Sequence, residues 1–334
     1  MKTDLTHLDE VTQQTRLQSL LPSVSLSVTI ESDVDACRAL WERFSPNKSV
    51  FDQWDYRMAW LNAYKFPLYF YTLYANSEVV GLLPLWYNGD EKIYEWMCGY
   101  WAEDQRMFAT DPRYVPILGY LAPTPLRLYA MRPFENMQAL SAFGEFAEDT
   151  DPKYVKDIIS LHSMDEYLAT LKKKNRYNLK ADYQRIMDQN PTVSFLKASA
   201  HLKDFETMVS MNIKRREETG IDTSEFLNAK ELAAFRNIAS YAESYSCVLI
   251  KVVINNTIAA IDMVIECAST YYLFRGGNDT QRFGGIGNFM TFIEIEDAIK
   301  KNFRLIDCLQ EDMGWKHRFF DTKTVYSFEK KLSS

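Results

Sequence analysis

The sequence predicts an α/β (α+β) chain of two successive domains, each a mixed, largely antiparallel twisted sheet flanked by helices. Three observations carry this. The 334 residues exceed one domain of ordinary size and suit two. Both halves run through the same order of elements: a strand, then helices, then a three-strand meander. A polar, proline-containing stretch, "EDTDPK" (148–153), parts them. The expected organisation is an N-terminal extension over 1–24, a first domain over 25–150 and a second over 151–334.

In the first half "LSVTIES" (26–32) reads as a strand, and "DVDACRALWERF" (33–44) and "FDQWDYRMAWLNAY" (51–64) space their bulky residues as helices do. The stretch 68–98 is rich in aromatic and β-branched residues and broken by Asn-Ser and Asn-Gly, which predicts three antiparallel strands. In the second half "KYVKDIIS" (153–160) is the strand. Ser163-x-x-Glu166 opens a helix expected to run to about Asp188. Helices over 202–219 and 228–243 precede a second meander over 247–277. The order suggests an internal duplication with a period of roughly 170 residues. Only the second half continues with a glycine loop, a helix (288–301), a strand "FRLIDCL" (303–309) and a closing strand "TVYSFEKKL" (324–332).

Composition narrows the class. Residues 1–150 carry 12 basic and 20 acidic side chains, and residues 151–334 carry 26 and 25. An acidic first half is a poor partner for nucleic acid, so DNA is not an expected ligand. Five cysteines, widely spaced and without a CxxC pair, offer neither a disulfide framework nor zinc spacing, so no metal is expected and a reducing compartment is. No apolar run approaches the length of a membrane span, and the first residues lack the apolar core of a secretory signal. The expected location is the cytoplasm.

The segment "QRFGGIGNF" (281–289) holds three of the twelve glycines within four positions. A strand, a glycine-rich loop and a helix in that order point backbone N–H groups and a helix N-terminus at an anion. A flexible turn is the alternative reading. The loop lacks the Lys-Ser/Thr ending of a P-loop and is not GxGxxG. Arg282-Phe283-Gly284-Gly285-Ile286-Gly287 does satisfy Arg/Gln-x-x-Gly-x-Gly/Ala, between the fourth strand and third helix of a helix–helix–strand–strand–strand–helix–strand order.

In that context the segment resembles the pyrophosphate loop of the GNAT superfamily of acyl-CoA transferases. The strand "VVGLLPLWY" (79–87), the basic helix "LKKKNRYNLKADYQRI" (171–186) and "LIDCLQEDMGWKHRFF" (305–320) are similar to tandem-domain CelD-like (BioF2-like) acetyltransferases, relatives of the FemABX peptidoglycan aminoacyltransferases. The resemblance covers about residues 25–330, most strongly 270–320 and diffusely before 150. It implies two tandem GNAT-like domains, the first degenerate, and an N-acyltransferase of the GNAT type using acetyl-CoA or another acyl-CoA. Transfer would be direct, to an amine on a sugar or cell-envelope precursor, with the first domain shaping the acceptor pocket. An aminoacyl-tRNA-dependent aminoacyltransferase and a non-catalytic binding module are the alternatives; a homodimer is compatible with each.

The resemblance further implies carrier contacts from Phe274, Arg275, Arg282, Phe283, Gly284, Gly285, Ile286, Gly287 and Asn288, and an oxyanion donor among the backbone N–H groups of 273–275. A general base is sought among carboxylates near the cleft between the fourth and fifth strands: Glu311, Asp307 and Glu266. Glu311 is preferred because it follows the strand into that cleft, and Asp307 is alternatively a partner of Lys316 or Arg318. Acceptor contacts are expected from Lys173, Arg176, Tyr177 and Lys180, which share a helix face, and from Trp101, Trp315 and Lys316. Cys308, in an apolar strand, reads as a buried small hydrophobe.

Overall fold

The computed structural model describes residues 24–220 and 228–331, so the extension expected over 1–24 lies outside the described residues but for Val24. In chain order the strands are β1 (Leu26–Glu31), β2 (Leu68–Ala75), β3 (Glu78–Asn88), β4 (Ile93–Trp96), β5 (Phe108–Ala109), β6 (Leu126–Met131), β7 (Glu145–Glu148), β8 (Lys153–Asp157), β9 (Thr192–Lys197), β10 (Ser246–Ile254), β11 (Thr257–Cys267), β12 (Thr270–Asn278), β13 (Leu305–Asp307), β14 (Asp321–Lys323) and β15 (Tyr326–Lys330). The helices are α1 (Val34–Phe44), α2 (Trp54–Tyr64), α3 (Val115–Leu121), α4 (Met164–Thr170), α5 (Lys173–Met187), α6 (Leu202–Thr219), α7 (Ala229–Ser240) and α8 (Ile286–Lys300).

The chain divides into two units. Among the described residues the first takes those up to Ser45, Phe66–Asp149 and those from Val325; the second takes Pro46–Lys65 and Thr150–Thr324. Two segments therefore leave the domains their position predicted.

Residues 46–65, expected in the first domain, belong to the second unit because aromatic packing holds them there. Trp60 meets Phe235 of α7 edge to face at 5.4 Å, and Phe51 meets Tyr272 of β12 at 5.7 Å. The Asp55 carboxylate accepts the backbone N–H groups of Glu243 and Ser244 at 2.8 and 2.9 Å. The closing strand β15 belongs instead to the first unit, where it lies between β6 and β7 with Phe328 fully buried. Lys330 there donates to the carbonyls of Gly119, Tyr120 and Ala122 at the end of α3. This satisfies acceptors that a helix C-terminus leaves without intrahelical partners.

Each unit has its own mixed, mainly antiparallel sheet. The first runs β1-β2-β3-β4-β6-β15-β7, with β5 against β3; the second runs β14-β8-β13-β12-β11-β10-β9. Each contains one parallel pair, β4 with β6 and β12 with β13. The hairpin turns are chemically specified. Asn76-Ser77 and Asn255-Asn256 both have two consecutive residues with φ between 48° and 71°, which two-residue hairpins need and asparagine tolerates.

Two local expectations are corrected. The helix expected from Ser163 to about Asp188 is two helices. Ser163 caps α4 by accepting from Glu166 N–H, and Glu166 reaches back to His162 N–H, but Leu171 and Lys172 are extended and α5 starts afresh. The repeat also has a different phase. The counterpart of β1, at the edge of four antiparallel strands, is β9, which went unread because its residues are mostly exposed or half-exposed and carry no alternation. The strand β8 lies beyond β13.

In the second unit, α4, α5 and α8 cover one face of the sheet around Tyr167, Leu179, Ile186, Tyr271, Phe289 and Ile295. Tyr183 of α5 stacks on Phe292 of α8 at 3.9 Å. Among the described residues no helix is long and apolar enough to cross a membrane, and no group of three or more His, Cys, Asp or Glu side chains is placed to hold a metal ion.

Candidate acyl-transfer site

β12 and β13 pair in parallel from Thr270–Leu305 to Tyr272–Asp307 and then part. Immediately beyond, the β11–β12 ladder slips: Met263 faces Arg275 and Val264 faces Leu273, leaving Phe274 as the extra, bulged residue. A bulge takes a residue out of the ladder and bends its strand. The parted strands enclose a cavity of about 270 Å³ whose wall includes Leu273, Phe274, Arg275 and Gly276 on one side and Cys308, Leu309, Trp315 and Lys316 on the other.

Two helices close the cavity through residues at helical spacing. From α8 come Gly287, Asn288, Thr291 and Glu294, and from α6 come Asn212, Arg215 and Arg216. The cap of α8 is Gly285, at φ 92°, where a Cβ would also stand 2.8 Å from the Asp182 carboxyl. Gly287 is different: nothing lies within 4 Å of where its Cβ would be. The fold does not require glycine there, and a side chain would stand in the cavity. First-turn N–H groups have no acceptor within their helix.

The polar groups of the cavity are unevenly satisfied. Asp262, on β11, is 8% exposed amid a run of fully buried neighbours from Ala259 to Ile265. Glu294 hydrogen-bonds to it, and burial pushes both carboxyls up, Asp262 to about 7 despite the opposing Arg215 charge, and Glu294 well above the usual carboxylate range. The pair therefore holds a proton between its two members near neutrality. Among the described residues Asp262 Oδ1 has no hydrogen-bond partner, and neither has Oδ1 of Asn212, whose Nδ2 donates to the Gly276 carbonyl. Both orphan acceptors sit beside Gly276, each costing about 1–3 kcal/mol when unmet.

Comparison with known proteins bears on this site. Residues 173–317 match the family model of the acetyltransferase (GNAT) domain. Among solved structures, FemX superposes with a TM-score of 0.57 at 11% identity, covering 91% of this chain and 97% of that one. A tandem GNAT protein from the clavulanic acid biosynthesis pathway gives 0.55 at 9% identity, covering 92% and 99%. L-PGS from Bacillus licheniformis gives 0.55 at 12%, covering 91% and 94%. No curated protein matches the chain. Residues 173–317 are thus similar to a GNAT domain, and the fold is the one those tandem GNAT structures have.

Within the matched residues, the structure gathers six of the residues expected at the site. Phe274, Arg275, Gly287, Asn288, Trp315 and Lys316 all line the cavity. Arg275 is fixed by its own surroundings, its guanidinium 5.0 Å over the Phe235 ring and 5.3 Å over that of Phe274. Lys316 is buried, its Nζ donating to the Gln310 carbonyl.

Other expected contacts are placed elsewhere. Phe283 and Ile286 belong to the hydrophobic core beneath the glycine loop, because their side chains are apolar and point inward. Arg282 is exposed and folds over its neighbouring Phe283 ring, and Gly284 is exposed at the loop surface. The Asn288 amide is engaged with Asp182 Oδ2 at 2.6 Å, so its side chain is committed to the fold. Asp182 also pairs with Arg185 at 2.7 Å, which offsets a negative charge close to the loop.

The three candidate bases are not at the cavity wall. Asp307 is buried in an ion pair with Lys153 at 2.7 Å, and its Oδ1 accepts from Leu309 N–H. Glu311 is exposed: Leu309, Glu311 and Met313 all take positive φ, and the loop turns Glu311 away instead of along the strand. Glu266 pairs with Lys301 at 2.6 Å beside a second cavity of about 560 Å³ near the β9 edge.

The basic face of α5 also stays off the cavity. Lys173 and Tyr177 are exposed, Arg176 is half-buried, and Lys180 pairs with Asp165 at 3.1 Å. Trp101 is in the first unit, in a turn where its ring lies tilted against that of Tyr100 at 4.5 Å. Sequence reading missed Asp262, Glu294, Asn212, Arg215 and Arg216. The first two carried a signal, an acid at the middle of the apolar run of β11 and another flanked by apolar residues in α8. The others sit in a polar helix where nothing distinguishes them.

Proposed function

We propose that the chain is an N-acyltransferase moving an acyl group, acetyl in the simplest case, from CoA to an amine in one ternary complex. The carrying observation is the cavity at the parting of β12 and β13, which joins the first turn of α8 to a buried carboxyl pair. A GNAT acyl donor fits the residues present, since Gly287 leaves the helix N-terminus open and the N–H groups there suit the diphosphate of the carrier. The backbone N–H groups around the Phe274 bulge suit the oxyanion of a tetrahedral intermediate.

The amine enters beside Gly276, where Asn212 Oδ1 and Asp262 Oδ1 accept its N–H groups. Asp262, buffered by Glu294, takes the ammonium proton. The amine nitrogen then bonds to the thioester carbonyl carbon, the C–S bond breaks, and the second nitrogen proton passes to the leaving thiolate. The products are an amide and a thiol, and the proton on Asp262 returns to solvent. Resemblance to the CelD-like proteins favours an amine on a sugar or cell-envelope precursor.

The test is thermal stability with CoA and acetyl-CoA for the wild type and Gly287→Asp. At 100 times Kd a ligand adds about 2.7 kcal/mol of stability. CoA is expected to raise the wild-type midpoint and leave that of Gly287→Asp unchanged, with both unliganded proteins melting alike. If no CoA species moves the wild type, the reading fails.

A further inference from the structure

Resting on that reading, we infer that the acyl group is an aliphatic chain longer than acetyl, seated where β12 and β13 part, with Leu309 and Met313 setting the preference for its length. The last pair of the two strands is Tyr272–Asp307, so Leu273 and Cys308 are the first residues on either side of the parting. Beyond it the chain keeps to β8. Cys308 N–H donates to the Tyr154 carbonyl at 2.8 Å, and the Leu309 carbonyl accepts from Tyr154 N–H at 3.0 Å. Backbone bonds on the far side thus fix the width of the gap.

This end of the cavity is apolar. Leu273, Cys308, Leu309, Met313 and Trp315 line it. Leu273 and Cys308 belong to the hydrophobic core of the unit, and Trp315 packs against that core. Lys316, next to Trp315, sends its Nζ to the Gln310 carbonyl. Met313 is 44% exposed despite its large apolar side chain. The acids and Asn212 reach the cavity from other elements, Asp262 from β11, Glu294 from α8 and Asn212 from α6.

The order along β12 assigns the two ends. Leu273 precedes the Phe274 bulge, whose surroundings suit the oxyanion, and Gly276, beside which the amine enters, follows it. At about 3.3 Å per residue, Leu273 and Gly276 lie roughly 10 Å apart along the strand, on opposite sides of the reacting carbonyl. In the tetrahedral intermediate the acyl chain and the attacking nitrogen hold separate corners of one carbon. With the amine at Gly276, the chain therefore lies toward the parting and its apolar wall. A methyl group covers little of that wall, and each further methylene buried there is worth roughly fourfold in affinity.

The experiment reads the thermal midpoint of the full chain against increasing free CoA, acetyl-CoA, butyryl-CoA and hexanoyl-CoA. The wild type is compared with Met313→Asn and Leu309→Asn. Asparagine tolerates the positive φ of both positions, 48° and 64°, and Met313 is exposed, so that variant is expected to melt like the wild type without ligand.

For the wild type, butyryl-CoA and hexanoyl-CoA are expected to give the same shift as acetyl-CoA at concentrations about tenfold lower or less. Each variant should shrink that ratio, losing more of its response to hexanoyl-CoA than to free CoA. If acetyl-CoA acts at concentrations equal to or below those of both longer thioesters, the inference is overturned, while the shift by free CoA upholds the transferase reading. A ratio unchanged in both variants also overturns it, because the chain then lies elsewhere. So does an equal loss for free CoA and hexanoyl-CoA, because the apolar wall then serves the arm of the carrier. A wild type unmoved by every CoA species, free CoA included, is the failure of the reading itself, and the inference falls with it.

Discussion

Asp262 faces Gly276 across the β11–β12 ladder, and a methyl group on residue 276 would stand 2.2 Å from Asp262 Oδ1. The glycine is what lets a carboxyl lie flat against the neighbouring strand in the wall of the cavity. Gly276→Ala is therefore expected to cost about 1–3 kcal/mol through overpacking. The cost should shrink to less than about 0.5 kcal/mol when Asp262 is already alanine. Urea unfolding of the two single variants and the double closes the cycle; independent effects would mean that the contact does not bind the two residues together.

The carboxyl pair makes stability and activity move in opposite directions with pH. The Asp262 carboxyl is pushed up to about 7 by burial, whereas in the unfolded chain it titrates near ~4. Its contribution to stability is thus fully present below that lower value and is lost as pH rises through about 7. Asp262→Asn should flatten this fall and be roughly 1–4 kcal/mol more stable than the wild type at pH 8, each tenfold in proton affinity being about 1.4 kcal/mol. Transfer by the wild type should rise through the same range, and Asp262→Asn should lose about 10²-fold or more at every pH. A variant that is stabilised yet fully active would remove Asp262 from the chemistry.

Asp307 and Glu311 should part ways under mutation. Lys153 and Asp307 form an ion pair with side chains 3% and 2% exposed, so removing one partner strands a buried charge. Asp307→Ala is expected to cost about 3–5 kcal/mol, and Lys153→Met with Asp307→Leu together less than either alone. Glu311→Gln, at an exposed position off the cavity, should leave both stability and transfer rate within about twofold. A large loss of rate in Glu311→Gln with unchanged stability would return the base to the position the sequence suggested.

Lys330 closes α3 of the first unit through three carbonyls, at 3.2, 3.1 and 2.5 Å. Lys330→Met keeps the aliphatic stem and removes the donor, and is expected to lower stability by about 1–3 kcal/mol. Denaturation of the full chain with β15 intact checks this; no change would mean that solvent reaches those carbonyls.

What the sequence alone determined was local or periodic. Hairpin turns at Asn76-Ser77 and Asn255-Asn256, the strands beside them, the glycine cap of α8 and the loop pattern from Arg282 to Gly287 all follow from the conformations particular residues allow. So did the fold class, through a recognisable order of elements, whereas Phe274, Gly287 and Trp315, expected in separate roles, line one cavity only in the folded chain. The edge strand β9 and the break at Leu171 escaped, since neither carries a hydrophobic rhythm or a strong turn residue.

Only the tertiary structure decided which acids line the cavity. Asp307 and Glu266 look as available as Asp262 in the chain, but each meets a lysine in space, and Glu311 is turned outward by positive φ on three alternate residues. Among the described residues Asp262 Oδ1 meets no hydrogen-bond donor, lying against an apolar strand, a glycine and another carboxyl with Arg215 nearby. Unit membership was likewise beyond the sequence: residues 46–65 and β15 are assigned by which sheet offers them aromatic and backbone partners. Local propensity acts over a turn or a strand, whereas charge pairing and burial depend on residues that only folding makes neighbours.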